Sequence, residues 1–171
     1  MNIRNAIKDD AASIAKAHIE AWCSGYKGIM PDEYLKSLSV KLITKEWQEA
    51  LTKNSPGINL VIECNNVVSG FCVYGPARDK DISTLNVGEL VALNILPSFW
   101  GMGLGTKLVK HVIKSANNHQ WKLLYLWVIK ENDRARKLYE LMGFEVEGSE
   151  KIDTKLTGCK LHEIRYVKKL G

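Results

Sequence analysis

The sequence has no apolar run near the roughly 18 residues that a membrane-spanning helix requires. Its start, Met1-Asn2-Ile3-Arg4-Asn5, has no apolar export core, so a cytoplasmic setting is expected, with no membrane partner. Internal repeats, low-complexity stretches and linkers are missing as well, and the one marked Pro/Gly break, Asn54-Ser55-Pro56-Gly57, reads as a turn. Cysteine is scarce. Cys23, Cys64, Cys72 and Cys159 form no C-x-x-C pair, and none stands at zinc-ligand spacing from His18, His111, His119 or His162, so no metal is expected. The four read as reduced, small core residues, with Cys64 and Cys72 flanking a hairpin across which they could face each other. No Cys or Ser occupies a nucleophile turn with a nearby His, which argues against a covalent acyl-enzyme.

What is present is ordinary globular material: 171 residues, 46% hydrophobic and 25% charged, enough for a single domain over 1–171 with its own core. The net charge of +5 is unevenly placed. Residues 98–137 hold eight basic residues against Glu131 and Asp133, whereas the rest of the chain is close to neutral. A positive field confined to one segment suits an anionic ligand there better than a nucleic-acid surface, and no nucleic-acid motif is present.

Periodicity supplies the elements. A short strand is expected over 2–6, then a helix from Asp9 or Asp10 to about Trp22 with Ile14, Ala17, His18 and Ala21 on one face. Pro31 opens a short helix over Asp32–Leu38, and another spans about Val40–Leu51. Ile58–Cys64 and Val67–Tyr74 are β-branched runs joined by Asn65-Asn66, a two-residue hairpin signal. Val87–Leu96 is a further strand. Residues 103–118 form an amphipathic helix with Leu104, Leu108, Val109, Val112, Ile113 and Ala116 on its stripe. Leu123–Ile129 reads as a buried strand and Asn132–Met142 as a helix closed by Gly143, with two last strands over about Phe144–Leu156 and Cys159–Lys168. This order predicts a mixed α/β (α+β) fold, a mostly antiparallel sheet with helices on its faces. Strand 87–96, helix 103–118 and strand 123–129 make a right-handed βαβ unit, so those two strands should be parallel.

The chemistry is concentrated in Leu93-Asn94-Ile95-Leu96-Pro97-Ser98-Phe99-Trp100-Gly101-Met102-Gly103-Leu104-Gly105-Thr106. A strand ends, a glycine-rich turn follows and a helix begins. The N–H groups of such a turn, with those of a helix's first turn, form a cradle for anions, and a pyrophosphate is the natural guest. The spacing fits neither G-x-G-x-x-G/A nor G-x-x-x-x-G-K-[ST], because Thr106 or Leu108 falls at the last place of the first and Thr106 precedes Lys107 in the second.

With those two excluded, the turn resembles the coenzyme A loop of the GCN5-related N-acetyltransferase superfamily, R/Q-x-x-G-x-G/A: Trp100-Gly101-Met102-Gly103-Leu104-Gly105 matches it except at Trp100, where Arg or Gln is usual. Nearby lysines, Lys107 among them, could supply charge instead. A second block, Asn132-Asp133-Arg134-Ala135-Arg136-Lys137-Leu138-Tyr139-Glu140-Leu141-Met142-Gly143-Phe144, is similar to the family's N-x-x-A-x-x-L/F-Y-x-x-x-G-F at every place.

The resemblance implies a central twisted sheet of about seven strands with one splayed parallel pair. It further implies acetyl-coenzyme A as cosubstrate and direct transfer of acetyl to an amine, either a small molecule or a peptide N-terminus. Cofactor contacts would come from Leu93, Asn94 and Ile95 through their main chain, from Gly101, Met102, Gly103, Leu104, Gly105 and Thr106, and from Asn132. Tyr139 would protonate the departing thiolate, and Glu89 would be the base that receives the amine proton. Trp22, Tyr26, Asp32 and Glu33 are the candidates for gripping the acceptor. A cofactor-binding module without catalysis, a longer acyl group, and a homodimer stay open at this point.

Overall fold

A computed structural model describes residues 1–82 and 85–171. The chain runs β1 (Asn2–Asn5), α1 (Ala11–Gly25), α2 (Asp32–Ser37), α3 (Val40–Thr52), β2 (Ile58–Cys64), β3 (Val67–Pro76), β4 (Val87–Ile95), α4 (Leu104–Asn118), β5 (Leu123–Ile129), α5 (Asp133–Leu141), β6 (Glu145–Asp153) and β7 (Leu161–Lys169). The strands form one seven-stranded sheet in the order β1-β2-β3-β4-β5-β7-β6, antiparallel throughout except for β4 beside β5. This is the mixed sheet with one parallel pair that the element order predicts.

Leu104, Leu108, Val109, Val112 and Ala116 of the α4 stripe are buried, with Ile113 half-buried beside them, and join Leu124, Leu126 and Val128 of β5 with Ile164 and Tyr166 of β7 in the largest core. Alternate β5 residues face the other way: Ile129 packs with Met30, Leu35 and Leu161, and Tyr125 with Ala77 and Val87. A strand of such continuous apolar sequence is covered on both faces. The β2–β3 turn is the expected one, with φ of 51° at Asn65 and 62° at Asn66, both left-handed as a two-residue hairpin of type I′ demands.

Several expectations shift. Asp10 does not cap α1 with its side chain. It is buried, takes two hydrogen bonds from the Arg4 guanidinium at 2.7 and 2.9 Å and one from the Ile7 N–H at 2.8 Å, and so ties β1 to a short 3₁₀ turn before the helix. That guanidinium holds the Asp10 carboxyl below the ordinary range. Of the cysteines, Cys64 and Cys72 are buried and free, but Cys23 and Cys159 are exposed, so only half of them are core residues. Cys72 faces Leu60 in the register and Cys64 faces Val67, so the two do not oppose each other. The strand expected to run to about Leu156 ends at Asp153, whose side chain accepts hydrogen bonds from the N–H groups of Lys155 and Leu156 and turns the chain, and the last strand starts at Leu161 rather than Cys159.

The feature that prepares a site is the β4–β5 pair. They are paired only over Val87, Gly88 and Glu89 against Leu123, Leu124 and Tyr125, after which they separate. On its other side β4 stays paired to β3 as far as Ile95, with a bulge at Val91 where Val73 meets Ala92 and Tyr74 meets Leu90. Gly70 of β3 allows this stretch of β4 to approach closely: a Cβ there would stand 2.6 Å from the Asn94 carbonyl oxygen and 2.5 Å from Ile95 Cδ1. Gly70→Ala is expected to cost about 1–3 kcal/mol by overpacking against backbone, read as a lower urea midpoint with an unchanged m-value.

Candidate active site

Where β4 and β5 part, a cavity of about 460 Å³ opens between them. One wall is β4 from Leu90 to Ile95, and the opposite wall is Trp127, Val128 and Ile129 of β5. With no ladder between them, main-chain groups of both strands border the gap. The far end of the cavity is the turn into α4, with Gly101, Gly103, Gly105 and Thr106 in its lining. Gly101 and Gly103 have φ of 78° and 76°, the left-handed region that glycine enters without strain, and a side chain at either place would be strained. Gly103 caps α4, and the first backbone bond returning to it comes from Lys107, at 3.0 Å. The N–H groups of Leu104, Gly105 and Thr106 therefore have no intrahelical acceptor and point out of the helix start, at the positive end of its dipole.

Trp100 holds this turn in place. Its indole N–H donates to the Ile95 carbonyl at 2.7 Å, fixing the turn to the end of β4. The Arg134 guanidinium lies 3.5 Å from the centroid of the Trp100 ring. Burial lowers the pKa of Arg134, and no carboxylate pairs with it among the described residues. Lys107, the cation expected here, instead has its ammonium beside the Met1 sulfur at 3.0 Å. The cation that accompanies the Trp100 substitution is thus Arg134, from the first turn of α5 across the gap. Met102 is exposed and outside the cavity wall.

α5 delivers the remaining groups. Asn132 caps it, accepting a hydrogen bond from the Ala135 N–H at 3.1 Å, and lines the cavity as well. Tyr139, two turns on, is 7% exposed, packs edge-on against Phe144 at 5.9 Å and reaches the same cavity. Burial raises the Tyr139 phenol above its ordinary pKa, so it stays protonated well past neutrality. From the opposite wall Tyr26 meets the Asn132 side chain, and burial raises its phenol too. The structure thus brings together Leu93, Asn94, Ile95, the glycine turn, Asn132, Tyr139, Trp22 and Tyr26.

Besides Met102, three expected residues lie elsewhere. Asp32 and Glu33 are exposed in the first turn of α2, where carboxylates complement the helix dipole, and do not border the cavity. Glu89 is 3% exposed and also outside the lining. Its oxygens take hydrogen bonds from Arg78 Nε and a terminal nitrogen, both at 2.8 Å, and from the Tyr125 hydroxyl at 3.0 Å. Burial pushes the Tyr125 phenol up to about 12, and that hydroxyl also accepts from the N–H groups of Arg78 and Asp79. The carboxylate does not border the cavity, and it pins β4, β5 and the chain after β3 together at the last paired residues. The carboxylate that does line the cavity is Glu163 of β7. Sequence reasoning missed it because its place opposite Ile129 depends on the β5–β7 register, a long-range pairing.

A strand pair parted over a helix-start anion cradle, with a buried phenol between them, defines a class of acyl-carrier-dependent transferases. Residues 19–144 match the model of the acetyltransferase (GNAT) family, and the chain belongs to that family. It is 31% identical to an uncharacterized N-acetyltransferase of Archaeoglobus fulgidus over 139 residues, covering 81% of this chain and 89% of the relative. It is 28% identical over 146 residues to the L-amino acid N-acyltransferase MnaT of Escherichia coli, covering 85% and 80%. Among solved structures, the PaiA N-acetyltransferase of Thermoplasma acidophilum in complex with coenzyme A superposes with a TM-score of 0.74 at 21% identity, covering 98% of both chains. YncA of Salmonella typhimurium with acetyl-coenzyme A gives 0.72 at 22% identity, covering 100% and 94%.

Glu89→Gln replaces the charged partner of Arg78 inside the sheet. It is expected to lower stability by about 1–3 kcal/mol while leaving the shape of the pH–rate profile intact. Denaturant titration and initial rates between pH 6 and 10 check both halves.

Proposed function

We propose that the protein transfers an acetyl group from acetyl-coenzyme A to a primary amine by direct attack within a ternary complex. The observation that carries this reading is the gap between β4 and β5, which runs from the α4 helix start to Tyr139 and Asn132.

The cosubstrate's pyrophosphate would lie on the N–H groups of 103–106, with Arg134 as the nearest cation. Its extended arm would run along β4, taking main-chain bonds from Leu93, Asn94 and Ile95 in place of the missing β5 ladder. The thioester would then reach the neighbourhood of Tyr139 and Asn132. The amine nitrogen bonds to the acetyl carbon, the carbon–sulfur bond breaks, and the thiolate takes the Tyr139 phenolic proton. The phenol is present as the donor at neutral pH; burial makes it a weaker acid than the thiol it forms, whose ordinary pKa is near 8.5, so the transfer relies on the phenol lying within hydrogen-bond reach of the sulfur as the negative charge develops. The amine's own proton leaves to water or to a carboxylate bordering the cavity. The acceptor would enter from the end walled by Trp22, Tyr26, Met30, Trp127 and Leu156, which gives it an aromatic and aliphatic surround.

A module that only binds the acyl carrier shares the cradle but not the need for Tyr139 beside the thioester. Two measurements separate them. Tyr139→Phe is expected to reduce kcat by about 10²–10⁴-fold with the acetyl-coenzyme A dissociation constant changed less than about twofold, followed by thiol release and by calorimetry. In the unaltered protein kcat should show no alkaline decline attributable to Tyr139 up to about pH 10, because its raised pKa keeps the proton in place beyond the ordinary phenol value. Binding without thiol release on any amine of a broad panel would support the binding module.

A further inference from the structure

We propose that the corner formed by Glu163 and Trp127 at the acceptor end of the cavity is a subsite for an alkylammonium group, with the ammonium of the protein's own Lys151 competing for the same two side chains. The inference rests on the transfer reading above and narrows the acceptor it allows.

Both residues border the cavity, and Glu163 is the only carboxylate among the described residues that line it. The Lys151 Nζ lies 3.2 Å from a Glu163 carboxylate oxygen and 4.2 Å from the centroid of the Trp127 ring. A carboxylate beside an aromatic face is the pair of groups that recognises a primary ammonium: the oxygen takes the N–H bonds and the ring takes the charge. An ammonium already sits there, on a lysine of the edge strand β6 whose register partner is Glu163 itself. The Lys151 side chain is 46% exposed, so its head can swing to water at small cost.

The charges behind the corner favour a cationic guest. Arg165 is 3% exposed, with its guanidinium 5.3 Å from the Trp127 centroid. It is committed to Glu147 at 2.6 Å, Asp81 at 2.9 Å and Asp79 at 3.3 Å, while the Trp127 indole N–H donates to Asp79 at 2.7 Å. Four carboxylates thus share Arg165 and Lys151. When Lys151 leaves, the excess negative charge stays, and the incoming ammonium replaces it. Met30, Ile129 and Leu156 offer an apolar stem its contacts. A carboxylate carried next to the amino group would meet Glu163, so the corner selects an alkylamine over its 2-carboxylated counterpart.

The test uses n-butylammonium and 2-aminopentanoate on the full chain saturated with coenzyme A, by calorimetry, and the same amines as acceptors in thiol-release assays with acetyl-coenzyme A. Lys151→Met keeps the stem and removes the competing charge, and should tighten n-butylammonium binding about 3–10-fold, as loss of one exposed ion pair and cation–π contact allows. Glu163→Gln should weaken it about tenfold or more. Neither should alter the dissociation constant for coenzyme A or the melting temperature by more than about 2 °C. Preference for 2-aminopentanoate, lost in Lys151→Met, would overturn the proposal by making Lys151 a carboxylate receptor. So would binding indifferent to both substitutions. Transfer to amines with no response to either variant leaves the transferase reading standing and removes the subsite. The expected binding shifts without thiol release from any amine remove the transferase reading and leave the subsite.

Discussion

Neighbouring strands of a sheet ordinarily share hydrogen bonds along their common length, because a backbone group buried without a partner costs free energy comparable to a lost hydrogen bond. β4 and β5 share only three residue pairs, and the chain beyond them depends on that break. Each strand keeps its outer ladder, β4 to β3 and β5 to β7, so the sheet survives while the gap opens within it. Arg78, Glu89 and Tyr125 fasten the two strands at the last paired residues, and this fastening lets them diverge afterwards without the sheet unzipping. In the proposed reading, an extended ligand in the gap would complete the missing ladder, so that the binding surface and the defect in the sheet would be one feature.

The two ends of the gap differ in charge. At one end are the free N–H groups of the α4 start and the guanidinium of Arg134, stacked on Trp100. At the other are Glu163 and, behind Trp127, the carboxylates gathered around Arg165. In the proposed reading, an anionic cosubstrate and a cationic acceptor approaching such a cavity would be drawn to opposite ends by its field. The groups between them, Tyr139, Asn132 and Tyr26, are neutral near pH 7, with both phenols raised by burial. Of the basic residues in 98–137 only Arg134 lines the cavity, and its place on Trp100 makes that residue compatible with the proposed phosphate site: the cation comes from across the cleft.

Much of this was legible in the chain itself. The glycine turn, the α4 stripe, the Asn132 cap and the Asn65-Asn66 hairpin are local patterns, set by φ, by the 3.6-residue period and by capping chemistry acting over a few residues. They suffice for the element order, the parallel pair and the cofactor end of the cavity. Three things depended on pairings between distant segments. Glu89 follows a strand pattern like any half-buried carboxylate, and its commitment to Arg78 and Tyr125 arises from residues 11 and 36 positions away. Glu163 reaches the cavity only through the β5–β7 register. Arg134 meets Trp100 only because α5 folds back across the gap from α4. Local sequence thus determined which backbone could hold a phosphate and which helix would bring a phenol, since both are properties of short segments. Tertiary structure alone decided which charged side chains face the cavity and which are consumed as struts, because a charge is used up by whichever partner the fold brings within about 3 Å of it.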